Sequence, residues 1–178
     1  MFLDRDGTLN VEKNYLYRSA DWEWIPGSIE AIRQINEMGW LAIVVTNQAG
    51  VARGFYREDD VAALHRHVDG LLAAAGARID AYYMCPHHPD FLGGRNCDCR
   101  KPQPGLLLRA AGEFSIDLSR SFMVGDKGID VLAAQRAGVT PILVATGYGA
   151  AEDAAVPQEI ERADNLLAAV KAIRSRMS

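Results

Sequence analysis

The strongest constraint on this chain is a regular alternation of apolar, strand-length runs with segments of helical period. "MFLD" (Met1–Asp4) reads as a short buried strand. "PGSIEAIRQINEMG" reads as a helix: Ser28 can cap it, Ile29, Ile32 and Ile35 share a face, and Gly39 stops it. "WLAIVVTN" is a continuous apolar run of strand length. "REDDVAALHRHVDGLLAAAG" predicts a helix with Val61, Leu64, Val68 and Leu71 inward and Gly76 as its stop. "IDAYYMC" is a strand, and "PQPGLLLRAAGEF" a helix entered through prolines. "SFMVGD", "IDVLAAQRAG" and "PILVATG" follow as strand, helix and strand, and "ADNLLAAVKAIRSRM" as a last amphipathic helix. Such alternation implies a mainly parallel sheet covered on both faces. With no internal repeat, linker or low-complexity stretch, residues 1–178 read as one α/β domain.

In open α/β sheets, ligands bind beyond the carboxyl ends of the strands. Four polar signatures follow the first four strands: "DRDGTLN", "TNQAGVARG", "CPHHP" and "GDKGID". Asp4 and Asp6 are spaced so that their side chains share one side of an extended segment. Two neighbouring carboxylates resist simultaneous ionisation unless a cation or proton joins them, and Mg²⁺ is the natural partner. Asp126 and Asp130 can complete an oxygen-rich cluster. A DxD pair alone is as often a turn with solvated charges. Thr46, Lys101 and Asp126, all at or just past strand ends, weigh against that reading. No GxxxxGK[ST] motif is present. The lone GxG, Gly147–Gly149, reads as a turn, and His65 and His67 as packed or solvated helix histidines.

"DRDGTLN", "VVTNQ", the lysine of "CRKP" and "GDKGID" resemble, in order, the four motifs of the haloacid dehalogenase superfamily in its phosphatase form. The resemblance implies a doubly wound, Rossmann-like sheet and an aspartyl-phosphate mechanism. Asp4 would be the nucleophile, and Asp6 would protonate the leaving alcohol and then activate water. Thr46 and Lys101 would bind the transferring phosphoryl group. Mg²⁺ would be held by Asp4, the backbone carbonyl of Asp6 and Asp126, with Asp130 standing behind them. For Asp6 to act as an acid, a neighbour must raise its pKa. A non-catalytic binding module on the same fold is the rival, and the intact motifs disfavour it. Only three residues precede Asp4, so the first strand is expected to be short for the family.

All three cysteines and two of the four histidines lie in "CPHHPDFLGGRNCDCRKP". Cys85, His87, Cys97 and Cys99 form CxH and CxC pairs that can close on one tetrahedral zinc ion, with His88 as the alternative to His87. Free thiols beside an incidental histidine pair are the bland alternative. The stretch is similar to the zinc loop of the heptose bisphosphate phosphatases and of the histidinol-phosphate phosphatases, in which the first histidine, here His87, is the ligand. A zinc-clipped loop, residues 85–101, would then carry Arg100 and Lys101 directly behind its last ligand. "TNQAGVARGFY" and "DRDGTLNVEKNY" resemble the heptose type more than the histidinol type. The implied substrate is a small phosphorylated sugar, on the route to nucleotide-activated heptose.

The spacing leaves no room for a large cap domain, so loops must shape the mouth. Residues Glu12–Tyr15, Gly50–Arg57 and the cysteine loop are expected there, with Arg53, Arg57 and Arg100 as their cations. The expected substrate contacts are Glu12, Tyr15, Thr46, Asn47, Gln48, Arg53, Arg100, Lys101 and Lys127. A net charge of −4 makes nucleic acid an improbable partner. The longest apolar run, Trp40–Val45, is too short for a bilayer, and no secretory leader is read. An odd number of closely spaced cysteines argues against a disulfide framework. A cytoplasmic, monomeric enzyme is the expectation.

Overall fold

The structure, a computed structural model, describes residues 1–91 and 97–177. Residues 92–96, inside the expected 85–101 zinc loop, and Ser178 lie outside the described residues. Six strands form one sheet: β1 (Phe2–Leu3), β2 (Ile43–Asn47), β3 (Ala81–Cys85), β4 (Phe122–Gly125), β5 (Thr140–Val144) and β6 (Glu161–Ala163). All pairings are parallel, in the order β3-β2-β1-β4-β5-β6. The chain winds outward from β1 to β3, crosses back to β4 beside β1, and winds outward again. The switch point therefore lies between β1 and β4, where the loops leave in opposite directions and open a crevice.

The central strands are buried on both faces, which is why their sequence runs are apolar rather than alternating. Register sorts their side chains. Leu3 and Val44 face one core with Ile32 and Ile35 of α1 (Ser28–Glu37), Leu64 and Val68 of α2 (Glu58–Ala74) and Val170 and Ile173 of α6 (Leu166–Met177). Phe2, Ile43 and Met123 face the other, with Leu106 and Leu107 of α3 (Gly105–Phe114) and Ala133 and Ala134 of α4 (Gly128–Ala137).

Three local expectations need correction. Ser28 does not cap α1; Gly27 holds the cap position, and the Ser28 hydroxyl donates to the carbonyl of Thr8. Leu71 points to solvent while Leu72 is buried, because the inward stripe of α2 advances by four after Val68. The strand β6 and the short helix α5 (Gly149–Glu152) were not anticipated: "ERA" carries too little apolar signal, and β6 completes the sheet edge by pairing with β5. No described helix is long and apolar enough to cross a membrane.

Candidate active site

The crevice at the switch point gathers charge. Asp4 leaves β1 with its N–H still in the ladder, donating to the carbonyl of Val124. Lys101 arrives from the cysteine loop. Its Nζ lies 2.7 Å from Asp4 Oδ1 and 2.6 Å from Asp130 Oδ1, and donates to the carbonyl of Val45 at 2.8 Å. Burial alone would lower the Lys101 pKa, but the Asp130 and Asp4 carboxylates outweigh it, so the ammonium stays charged. Asn47 locks the lysine backbone from both sides, its Nδ2 donating to the Lys101 carbonyl and its Oδ1 accepting from the Lys101 N–H, each at 3.0 Å. Its side chain is thereby committed to the protein.

Asp126 follows β4 and is fully buried. Its Oδ2 accepts from the Tyr148 N–H at 2.8 Å, while Oδ1 has no hydrogen-bond donor among the described residues. Burial, reinforced by the charge of Asp4, pushes its pKa up to about 8. Asp130 is pushed up to about 6, burial being opposed by Lys101. Ligand oxygens of Asp4, Asp126 and Asp130 lie within 4.8 Å of one another. Four carboxylates, with Asp6, face two buried cations, Lys101 and Arg5, so full ionisation would leave two negative charges uncompensated, and without a metal ion the raised pKa of Asp126 relieves that imbalance with a proton. A buried, undonated carboxylate oxygen in such a field fits a hard dication such as Mg²⁺. The space around it is tailored. A Cβ on Gly147 (φ +58°) would lie 2.1 Å from Asp126 Oδ2, and one on Gly7 2.2 Å from the same atom. The "GYG" turn thus borders the acidic cluster, with Tyr148 lining the cavity.

Asp6 sits opposite. It accepts from Arg5 Nε and Nη2, both at 3.1 Å, and from Asn10 Nδ2 and Gln48 Nε2, both at 3.0 Å. Burial would raise its pKa, but the Arg5 charge and these hydrogen bonds hold it below the usual carboxylate range. What could raise this pKa was left open by the sequence, and the protein's own groups do not supply it: they hold Asp6 ionised. Gln48 also donates to Thr46 Oγ1 at 2.9 Å, and its Oε1 accepts from the Tyr56 hydroxyl at 2.7 Å. One amide therefore orients both Thr46 and Asp6.

Asp4, Asp6, Tyr56 and Tyr148 line a cavity of about 280 Å³, with Asp126, Asp130 and Arg5 behind its wall. Glu12, Tyr15, Thr46, Asn47, Gln48, Arg100, Lys101 and Lys127 line it; Arg53 and Arg57 are not among its lining residues. Lys127 Nζ lies 3.2 Å from Glu12 Oε2 and 4.5 Å from the centre of the Tyr148 ring. Arg100 Nη1 donates to the His87 carbonyl at 3.0 Å. Arg53 instead binds His88 Nε2 at 3.0 Å and lies against the rings of Tyr15 and Phe91, tying three rim loops together. Arg57 occupies the N-terminal cap position of α2.

Beside the mouth, Cys85, His87, Cys97 and Cys99 converge, their candidate ligand atoms within 4.8 Å of one another. His87 Nδ1 lies 3.0 Å from Cys97 Sγ and 3.4 Å from Cys99 Sγ. The sulfurs of Cys97 and Cys99 are 2.9 Å apart, far beyond the roughly 2.05 Å of a disulfide. His88 faces the active-site cavity instead. Three thiols and one imidazole nitrogen meeting at one point form a donor set suited to zinc. His67 is exposed, whereas His65 is buried against Arg5.

Arg5, Asn10, Tyr56 and Tyr148 were absent from the sequence-based site. A signal existed for Arg5, an arginine between two acids at an apolar strand end. Another existed for His65, four residues from Val61 on the inward stripe of α2.

A family model described as HAD-hydrolase-like matches residues 98–171. The chain is 47% identical over 156 residues to the D-glycero-beta-D-manno-heptose-1,7-bisphosphate 7-phosphatase of Pasteurella multocida, covering 86% of this chain and 85% of that protein. It is 44% identical over 171 residues to the enzyme of the same name from Photorhabdus laumondii, covering 94% and 88%. Among solved structures it matches the D,D-heptose 1,7-bisphosphate phosphatase of B. bronchiseptica, complexed with magnesium and phosphate. That match has a TM-score of 0.91 at 34% identity, over 99% of this chain and 98% of that one.

Proposed function

This chain belongs to the D-glycero-D-manno-heptose-1,7-bisphosphate 7-phosphatases, within the haloacid dehalogenase-like hydrolases, and on that premise we propose that it removes the 7-phosphate of D-glycero-D-manno-heptose 1,7-bisphosphate through a phosphoryl group carried on Asp4. The observation that carries this reading is the convergence of Asp4, Lys101, Thr46 and Asp6 on one cavity, with Asp126 behind them.

A carboxylate attacking a phosphate dianion meets repulsion, and the site must supply positive charge in fixed positions. Lys101 is held charged and immobile by Asp4, Asp130 and the Val45 carbonyl. Asp4, the Asp6 carbonyl and Asp126 are the residues that would hold Mg²⁺, and Asp130 anchors Lys101 behind them. When bound, that ion supplies charge neutralisation for the phosphoryl oxygens. Asp4 attacks phosphorus; Asp6 gives its proton to the departing sugar oxygen and later takes one from the attacking water. The resting protein holds Asp6 ionised, so the docked phosphate, by its own negative charge, is what favours the protonated acid.

Residues 1–178 act as one catalytic domain, with the rim loops in place of a large cap. Arg100 and Lys127, the cavity cations not buried against Asp4, are suited to the second phosphate. Zinc held by Cys85, His87, Cys97 and Cys99 would fix the loop that delivers Arg100 and Lys101. Clustered free thiols fit a reducing cytoplasm.

The test is phosphate release from heptose 1,7-bisphosphate and from histidinol phosphate, with the position of the remaining phosphate read by ³¹P NMR. The 1-phosphate product is expected. A kcat/KM for histidinol phosphate equal to or above that for the bisphosphate would overturn the assignment.

A further inference from the structure

Arg5 is the largest fully buried side chain in the described protein, 1% exposed, yet it takes no chemical step in the mechanism above. Nor does His65, sixty positions away on a helix that contributes nothing else to the site. We propose that Arg5 and His65 are positioning residues for Asp6: a buried imidazole acceptor holds the guanidinium, and the guanidinium fork fixes the carboxylate that handles the leaving-group proton. The inference rests on the reading of Asp6 as the acid and base of the reaction.

Geometry supports each link. The guanidinium engages both Asp6 oxygens, Nε to Oδ2 and Nη2 to Oδ1, each at 3.1 Å. Two parallel N–H···O bonds set the carboxylate plane as well as its position. Nη2 also donates to the Leu16 carbonyl at 2.9 Å. Nη1 faces the other way, and its acceptor among the described residues is His65 Nε2 at 3.4 Å. Arginine has only donors, so Nε2 must accept and the ring carries its proton on Nδ1. The contact is long, but its loss would strand a buried guanidinium N–H. The imidazole is itself held in place. It stacks on Tyr82 at 4.1 Å between centroids and 13° between planes, and the Tyr82 hydroxyl donates to Asp69 Oδ1 at 2.7 Å. The chain of contacts runs from the face of α2 and β3 through His65 and Arg5 to Asp6.

A purely structural role and a positioning role predict different kinetics. An acid matters most when the leaving group is a poor one. p-Nitrophenolate departs without a proton, whereas a sugar alkoxide does not. The experiment measures kcat/KM for the heptose bisphosphate and for a graded series of aryl phosphates on the magnesium-loaded enzyme. Wild type is compared with His65→Leu, His65→Gln and Asp6→Asn. Asp6→Asn should lose roughly 10²-fold or more on the alkyl phosphate and far less on p-nitrophenyl phosphate. His65→Leu should show the same selectivity at about 10-fold, the scale of a slightly misplaced catalytic group. His65→Gln, which returns an acceptor oxygen, should recover most of it. The ratio between two substrates on one sample cancels the amount of folded enzyme, so a poorly folding variant does not imitate the effect. A uniform loss across the series in His65→Leu, or none, overturns the positioning role if Asp6→Asn is leaving-group selective. Should Asp6→Asn itself lack selectivity, the reading of Asp6 fails instead, and the inference with it.

Discussion

Lys101→Met tests how the acidic cluster is held together. The lysine is buried and within 2.7 Å of both Asp4 and Asp130. Methionine keeps most of the stem volume and removes the charge together with the hydrogen bond to the Val45 carbonyl. The carboxylates then face one another with no cation between them. Removing one partner of a buried pair costs about 3–5 kcal/mol, because the remaining charge is left uncompensated. For a chain of this size each kcal/mol shifts Tm by roughly 2–4 °C, so the metal-free variant should melt about 6–20 °C below wild type. The deficit should shrink in saturating Mg²⁺, which restores positive charge to the same carboxylates. Activity should fall about 10²–10³-fold, the usual scale for losing one preorganised charge at a developing anion. Scanning calorimetry with and without Mg²⁺, alongside phosphate-release kinetics, reads both effects. A metal-free Tm within about a degree of wild type would mean that the lysine is not balancing these charges, and would refute the electrostatic argument.

The metal-free stability should also depend on pH through Asp126. Its folded pKa, about 8, lies above the unfolded value of 3.8. The folded state therefore binds the extra proton, and that contribution is lost as pH rises from about 4 toward 8. The Tm gained on adding Mg²⁺ should grow across that window; a constant gain would contradict the Asp126 assignment. For the thiol cluster, metal analysis of protein purified without chelator should find about one zinc per chain. Cys97→Ser should lower zinc content and thermal stability, and activity indirectly through Arg100 and Lys101. Full activity in protein shown to contain no zinc would refute the clip.

The layout of the fold was legible because buried parallel strands announce themselves as apolar runs, and because the switch-point rule places chemistry at their carboxyl ends. Asp4, Thr46, Cys85 and Asp126 could be positioned in this way. Edge strand β6 could not, since "ERA" pairs on one side only and carries little apolar signal. Arg53 was expected as a substrate contact because a cation on a mouth loop suits a phosphate; the structure places it on the rim with its guanidinium on His88 and two aromatic rings. The ionisation of Asp6 was beyond the sequence for a different reason. It depends on Gln48 arriving from 42 positions away and on the loop that folds Arg5 and Asn10 back onto the carboxylate, and sequence spacing does not report that convergence. Likewise "GYG" gave no sign that its glycine makes room for Asp126.

The central claim is that Asp4 carries the phosphoryl group. The most direct measurement is mass spectrometry of acid-quenched, magnesium-loaded enzyme mixed with a substrate bearing a good leaving group. The Asp6→Asn variant, which lacks the base for the hydrolytic step, should accumulate one phosphoryl group on the peptide containing Asp4. The same variant carrying Asp4→Asn should show none, and Asp4→Asn alone should lose nearly all turnover while remaining folded. A phosphoryl group on any other residue, or wild-type turnover in Asp4→Asn, would contradict the account.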